Sequence, residues 1–154
     1  MKVDKKKVVF DLEKERERLS SPVISDLASQ LSPLPELRKI TLEFQQELTQ
    51  AKGWVVVGRD ITSEVLPSAE VKIFLTASVE ERTKRRNNQY KVKLSPEEAK
   101  NELQARDERD RGRKISPLLK TADSWELDTT HLSLDESVEK ILQWIEKNFS
   151  LERG

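Results

Sequence analysis

Two short runs of mainly apolar residues, many of them β-branched, constrain the fold of this chain more than any other feature. They occupy residues 54–57 (WVVV) and 71–75 (VKIFL). Such runs are typical of strands that are buried on both faces of a parallel sheet. A third strand is predicted near residues 125–127, and residues 8–10 are a shorter candidate. Because helical patterns separate these strands, we predict an α/β fold with a parallel sheet and flanking helices.

Capping signals mark where the helices begin. Ser78, Ser95 and Ser133 are each followed three residues later by glutamate, which predicts helices running to about residue 88, to about residue 111 and through the C-terminal segment. Further helices are predicted over residues 23–31 and from residue 36 onward, and an exposed helix or turn over the charged residues 11–18. The apolar spacing predicts two buried helical faces, made by Leu37, Ile40, Phe44 and Leu48 and by Val138, Ile141, Leu142, Ile145 and Phe149.

Composition excludes several classes of function. The 154 residues include 28 Lys+Arg and 28 Asp+Glu, and this zero net charge argues against binding nucleic acid or membrane through a global basic field. The chain has no cysteine and one histidine, His131, so neither a thiolate nor a His-rich metal site is expected. With no apolar run that could span a bilayer and no secretory leader pattern, we expect one cytoplasmic domain.

The first candidate site follows the apolar run at residues 54–57. Arg59 and Asp60 emerge at the carboxyl end of this predicted strand, which is where ligands bind in open α/β sheets. A guanidinium binds phosphate in a bidentate manner, and a carboxylate accepts from an amino group. The alternative is a local ion pair at the end of a strand.

The second candidate is a charged helical face. Arg106, Arg109, Asp110 and Arg113 are spaced to share one side of a helix, and two arginines beside a carboxylate suit a phosphate next to a ribose. The alternative is a solvated face with pairs worth a few tenths of a kcal/mol each. The basic residues within 82–93 could clamp a nucleoside triphosphate or contact nucleic-acid phosphates, or simply form a solvated helix end.

Taken together and in order, these segments resemble the bacterial cytidylate kinases. The resemblance rests on residues 28–30, 35–38, 55–60 (VVVGRD), 66–86, 105–123 (ARDERDRGRKISPLLKTAD) and 128–142. It implies part of a P-loop nucleoside-monophosphate kinase fold and phosphoryl transfer from ATP, with Mg²⁺, to CMP or dCMP. It also implies that residues 1–52 belong to the monophosphate-binding insertion and that residues 53–154 complete the α/β core, with a lid at about 82–113.

The resemblance assigns roles to single residues on the CMP side. Ser29, Arg38 and Asp60 match positions that hold the cytosine edge. Arg59 matches a phosphate-binding arginine, and Asp110 matches the acid that binds ribose hydroxyls.

The remaining assignments concern the transferred phosphoryl group and ATP. Arg106 and Arg113 match arginines around the CMP phosphate and the transferred group. Arg82 and Arg86 look like the start of the lid that closes over ATP. These assignments agree with phosphoryl transfer depending on positioning and charge neutralisation.

The chain departs from the family pattern in its phosphate-binding elements. No glycine is followed by lysine, so the family's glycine-rich phosphate loop is absent from these residues. We therefore expect negligible turnover from the isolated chain. The family tends to have Asp at Val57, Gly at Thr62 and Arg at Ser20. Its phosphate-loop strand lies between the strands that match residues 54–57 and 71–75, which must otherwise pair directly or receive a strand from another chain.

Three functional hypotheses follow from these features. The chain is part of a cytidylate kinase, with a separate chain supplying the phosphate loop if the gene is split. Alternatively it is a non-catalytic CMP-binding remnant. The third hypothesis, a nucleic-acid binder using residues 82–93, is disfavoured because this stretch lacks interleaved aromatic residues and the chain lacks net positive charge.

Overall fold

The computed structural model describes residues 19, 21–51, 53–89 and 93–149. Their secondary structure comprises α1 (Pro22–Leu31), α2 (Pro35–Leu48), a π-helical turn (Ile61–Val65), β1 (Ile73–Thr76), α3 (Val79–Gln89), α4 (Pro96–Gly112), β2 (Trp125–Asp128) and α5 (Leu134–Asn148). Strands β1 and β2 pair in parallel, with Ile73 opposite Trp125. The predicted α/β fold with a parallel sheet is therefore confirmed. The candidate strand at 8–10, the charged residues 11–18, Ser20 and residues 90–92 lie outside the described residues.

The predicted capping serines hold the starts of the helices. Ser95 and Ser133 each form a full capping box at α4 and α5, and Ser78 accepts a hydrogen bond from the Glu81 amide at 3.2 Å. At α1, Ser21 caps the Ile24 amide at 3.3 Å. Such caps typically contribute about 1 kcal/mol each, because they satisfy amides that have no partner within the helix.

The apolar run at residues 54–57 does not form the predicted strand. It pairs with neither β1 nor β2, and Val55 and Val57 are 92% and 90% exposed. An apolar run becomes a strand only where a neighbouring strand satisfies its amides and carbonyls. No such neighbour lies within the described ranges, so the prediction of a buried strand is wrong for this part of the chain.

The predicted buried faces of α2 and α5 are also wrong. The apolar side chains of α2 (Leu37, Ile40, Phe44 and Leu48) are 39–60% exposed, and α5 contains no buried residue. The spacing correctly places these side chains on one face, but the packing of the described elements leaves the face of α2 largely exposed and fully buries no side chain of α5. One aromatic contact joins α5 to the sheet, the parallel stack of Trp125 and Trp144 with ring centroids 4.7 Å apart.

Helix α4 is the element around which the polar residues gather. Its Ala99 and Leu103 belong to the small apolar core, together with Val65, Ala77 and Leu127. Helices α3 and α1 both pack against α4, and α2 packs against the π-helical turn. Among the helices of the described residues, none is long and apolar enough to cross a membrane.

Candidate functional site

Asp110 is the centre of a cluster of charged side chains. Its side chain is fully buried, although it is carried by a helix that is otherwise rich in charge. The carboxylate accepts hydrogen bonds from Ser29 Oγ at 3.0 Å and from Arg113. Its other oxygen pairs with Arg59 Nε at 3.3 Å and Arg106 Nε at 3.7 Å. Four side chains from α1, α4 and two loops therefore meet at one carboxylate.

Asp107, one turn earlier on α4, anchors the other end of the cluster. It is nearly buried, and it pairs with Arg82 and, at 3.7 Å, with Arg59. Arg82 also donates from Nε to the carbonyl of Ala77 at 2.9 Å, directly beyond the end of β1. Arg59 thus bridges both carboxylates, and Arg82 connects the cluster to the carboxyl end of β1, whereas the strand at 54–57 after which Arg59 was expected does not form.

The balance of charge in this cluster favours an anion. Arg59, Arg82 and Arg113 alone outnumber the two carboxylates that they contact, and Arg106 adds a further guanidinium. Among the described residues, the buried Nε of Arg113 has no hydrogen-bond partner, whereas Asp107 Oδ1 and Asp110 Oδ2 have only their ion pairs with guanidinium groups. Buried donors are normally hydrogen-bonded, so the N–H of Arg113 is suited to donate to an anion.

Helix α1 lies over the cluster through polar contacts. Ser25 Oγ accepts from Arg86 at 3.0 Å and from Arg106, while Asp26 pairs with Arg109. The hydrogen bond from Arg109 lowers the pKa of Asp26 below its ordinary value. The arginines that could bind a phosphate therefore also hold α1 in place.

A second group of contacts surrounds Arg38, which is almost completely buried. Its Nη2 pairs with Asp60, its Nε donates to Ser116 Oγ at 2.8 Å, and its Nη1 donates to Gln45 Oε1 at 3.2 Å. Three acceptors from three segments of the chain thus surround one guanidinium.

The structure gathers most of the residues singled out from the sequence into these two groups. Arg38 and Asp60 form one group, and the other contains Ser29, Arg59, Arg82, Arg106, Asp110 and Arg113, with Arg86 reaching it through Ser25. Ser29, which the resemblance grouped with Arg38 and Asp60, makes its hydrogen bonds to Asp110 and Arg113 instead.

Four residues of these groups were not singled out from the sequence. They are Asp107, Ser25, Gln45 and Ser116. The position of Asp107 three residues before Asp110 was a usable signal. Nothing near Ser25 or Ser116 in the sequence indicates the arginine that each contacts.

No metal site accompanies these groups within the described ranges. Across residues 19, 21–51, 53–89 and 93–149, no set of three or more His, Asp or Glu side chains could hold a metal ion. Asp107 and Asp110 are surrounded by guanidinium groups, which would repel a cation.

Comparisons with known proteins agree on one family. A family model described as "Cytidylate kinase" matches residues 1–147. The chain is 40% identical over 149 residues to the cytidylate kinase of Caldanaerobacter subterraneus, covering 95% of this chain and 66% of the relative. It is 45% identical over 143 residues to that of Carboxydothermus hydrogenoformans and 42% identical over 144 residues to that of Bacillus licheniformis, covering 90% and 92% of this chain. The chain spans 64–66% of the length of these three relatives.

Proposed function

This chain belongs to the cytidylate kinase family, and from that membership we propose that it forms the CMP-binding side of an enzyme that phosphorylates CMP or dCMP. In the proposed reaction, a phosphate oxygen of CMP attacks the γ-phosphorus of ATP and forms the new P–O bond. The bond between the γ-phosphorus and the bridging oxygen of the β-phosphate breaks, giving CDP and ADP. Residues 1–52 then contribute to the monophosphate-binding part, and residues 53–154 to the remaining core with its lid at about 82–113.

The observation that carries this proposal is the cluster around Asp107 and Asp110. A guanidinium surplus over two buried carboxylates suits a phosphate, which adds negative charge and several acceptor oxygens. In this proposal Arg59, Arg106 and Arg113 bind the CMP phosphate and neutralise charge on the phosphoryl group in transfer.

Phosphate binding would also change which groups Asp110 contacts. The Asp110 carboxylate is occupied by Arg113 and Ser29 in this structure. A phosphate that draws Arg113 toward its own oxygens removes one of the two donors on Asp110 Oδ1, which can then accept from a ribose hydroxyl. We therefore propose that phosphate and ribose binding are coupled through Arg113.

The base is assigned to the second group. Arg38 has five N–H donors, of which three are engaged by Asp60, Ser116 and Gln45. Two donors beside the Asp60 carboxylate match the edge of cytosine, which offers two acceptors next to an amino donor. Uracil would instead present a carbonyl oxygen to the carboxylate. Ser29, the third residue that the resemblance assigns to the cytosine edge, would give up its hydrogen bond to Asp110 and bond to the nucleotide instead.

ATP is assigned to the lid side, where Arg82 and Arg86 contact the cluster from α3. Mg²⁺ enters this proposal only as the partner of ATP. The sequence holds no glycine–lysine pair, so it lacks the loop that would bind the phosphates of ATP. Loss of even one electrostatic contact to the transition state typically costs about 3–4 kcal/mol, and loss of the whole loop removes several such contacts. We therefore propose that the 154 residues alone do not catalyse phosphoryl transfer from ATP to CMP.

We propose that a polypeptide carrying the phosphate loop completes the enzyme, in the cytoplasm and without nucleic acid or membrane. Trp54, Val55, Val57 and the exposed face of α2 support this proposal because they offer apolar surface to such a segment. The edge of β1 that is unpaired among the described residues offers it backbone hydrogen bonds. The second candidate function, a non-catalytic CMP-binding remnant, predicts the same CMP binding without any completion.

The test combines binding with transfer of labelled phosphate from Mg·ATP. The chain alone should bind CMP, as measured by calorimetry, and transfer no label. Adding a polypeptide that carries a glycine-rich phosphate loop of the type G-x-x-x-x-G-K-[ST] should restore transfer, and Arg113→Ala in the present chain should abolish it. Transfer by the chain alone would overturn its inactivity, and CMP binding that no added segment converts into transfer would favour the remnant.

A further inference from the structure

Ser116 has an unusual backbone conformation for a serine. Its φ is 50°, and among the described residues it is the one non-glycine residue with positive φ. Glycine adopts this left-handed region without steric cost, whereas a residue with a Cβ does not. The backbone conformation therefore favours glycine at position 116 and gives no reason for a serine there.

The side chain of Ser116 supplies the missing reason. Ser116 is buried, and its Oγ lies 2.8 Å from Arg38 Nε as a hydrogen-bond acceptor. At another nitrogen of the same guanidinium, Gln45 Oε1 accepts from Nη1 at 3.2 Å. Gln45 lies two turns after Arg38 on α2, so both belong to one rigid element.

These two acceptors fix the plane of the guanidinium. Asp60 alone would hold a single nitrogen and leave Arg38 free to rotate about that contact. With Nε and Nη1 also held, the group has one orientation, and the two remaining N–H groups point in fixed directions.

We propose that Ser116 and Gln45 are positioning residues that orient Arg38 for discrimination between cytosine and uracil. This inference rests on the proposed function, because it assigns the base to Arg38 and Asp60. Neither Ser116 nor Gln45 needs to touch the nucleotide. Without either acceptor, a buried N–H of Arg38 loses its partner, and the guanidinium turns toward another acceptor.

Two readouts test the proposal on the full chain. The first is the rate at which the Nε–H hydrogen of Arg38 exchanges with water, measured by ¹⁵N NMR without nucleotide. The resonance is assigned by its absence in Arg38→Lys, and its exchange is expected to be slow. The second is the ratio of the CMP and UMP dissociation constants from calorimetry.

The variants separate the hydroxyl from the backbone. Ser116→Ala keeps the Cβ in the left-handed region, and Ser116→Gly relieves it, but both remove the acceptor. Both should lose the slow exchange at Nε, weaken CMP binding about tenfold and weaken UMP binding less. Gln45→Glu keeps an acceptor and should retain more discrimination than Gln45→Leu. Ser124→Ala, a buried serine bonded to Thr121, is the matched control and should change neither readout.

Each contrary result overturns a defined statement. Unchanged Nε–H exchange and an unchanged ratio in both Ser116 variants would overturn the proposal. A loss confined to Ser116→Ala would assign the effect to backbone strain, and an equal loss of CMP and UMP affinity would overturn the role in discrimination. If the unmodified chain binds neither nucleotide, the proposed function fails and the base-reading role fails with it, whereas the Nε–H result still reports on the hydrogen bond.

Discussion

Replacing Asp110 with asparagine removes the negative charge on which the arginine cluster is built. The side chain keeps its size, so the change is chiefly electrostatic. In the variant, Arg113, Arg106 and Arg59 remain close together around a neutral amide. The expected result is a large loss of stability, because guanidinium groups that are partly shielded from water lose their counter-charge.

The size of the loss follows from the geometry. At an effective dielectric constant of about 20, the contact at 3.3 Å has a gross Coulomb energy of about 5 kcal/mol and the contact at 3.7 Å about 4.5 kcal/mol. Desolvation offsets much of this, and Arg59, about one third exposed, is further screened by solvent. Removing one partner of a buried pair typically costs about 3–5 kcal/mol. We expect a loss of about 3 kcal/mol, a large share of the 5–15 kcal/mol typical of a domain.

Urea unfolding followed by circular dichroism measures this loss. Glu43→Gln, at an exposed carboxylate in the middle of α2, is the control and should change the free energy of unfolding by less than about 0.5 kcal/mol. Inorganic phosphate at ten times its dissociation constant should return about 1.4 kcal/mol to Asp110→Asn, since the freed arginines bind it. A variant within about 0.5 kcal/mol of the unmodified chain would refute the view that Asp110 holds the cluster together.

Three further predictions concern contacts outside the cluster. The hydrogen bond from Lys72 holds the pKa of Asp123 below its ordinary value of 3.8, so this contact stabilises the fold above about pH 4 and is lost as the pH falls through the lowered value. Urea midpoints between pH 5 and pH 2 should depend less on pH in Asp123→Asn, and an unchanged slope would contradict the assignment. Ser133→Ala should lower the free energy of unfolding by about 1 kcal/mol, with Ser133→Asp retaining the cap, as measured by urea unfolding; equal losses would argue against the cap. Arg85→Lys loses the two hydrogen bonds from Arg85 Nη2 to the Thr129 and Leu132 carbonyls, at 2.7 and 3.1 Å. It should lower the free energy of unfolding by about 2 kcal/mol and speed hydrogen exchange of the amides at the start of α5. Unaltered exchange of these amides would show that Arg85 does not hold this segment.

The sequence alone predicted the features that depend only on residues close together in the chain. Serines at 95 and 133 with glutamate three residues later begin helices in the structure as predicted, since the capping hydrogen bonds join neighbours in the chain. A parallel sheet was also predictable, because helical patterns separate the apolar runs, but the pairing of β1 with β2 in particular was not predicted.

Features that depend on a distant partner could not be predicted in this way. Residues 54–57 have the composition of a buried strand, but their exposure depends on which elements lie beside them. The same holds for the apolar face of α2. In the site, the spacing of charged residues on α4 was recognisable from the sequence. The contacts of Ser29 with Asp110 and of Arg38 with Ser116 were not, because they join residues 81 and 78 positions apart. A helical pattern identifies the face but not its partner.

The attachment of α1 to α4 has a consequence for how this part of the chain responds to heat. Its side-chain contacts with α4 are hydrogen bonds and ion pairs made by Ser25, Asp26 and Ser29, whereas its apolar Val23 and Leu27 are exposed. The penalty for removing charged groups from water falls as temperature rises, while the stabilisation per unit of apolar area levels off. Warming should therefore loosen the sparse apolar core before it separates α1 from α4. Among the described residues, the arginine-rich centre is then the last to lose its contacts.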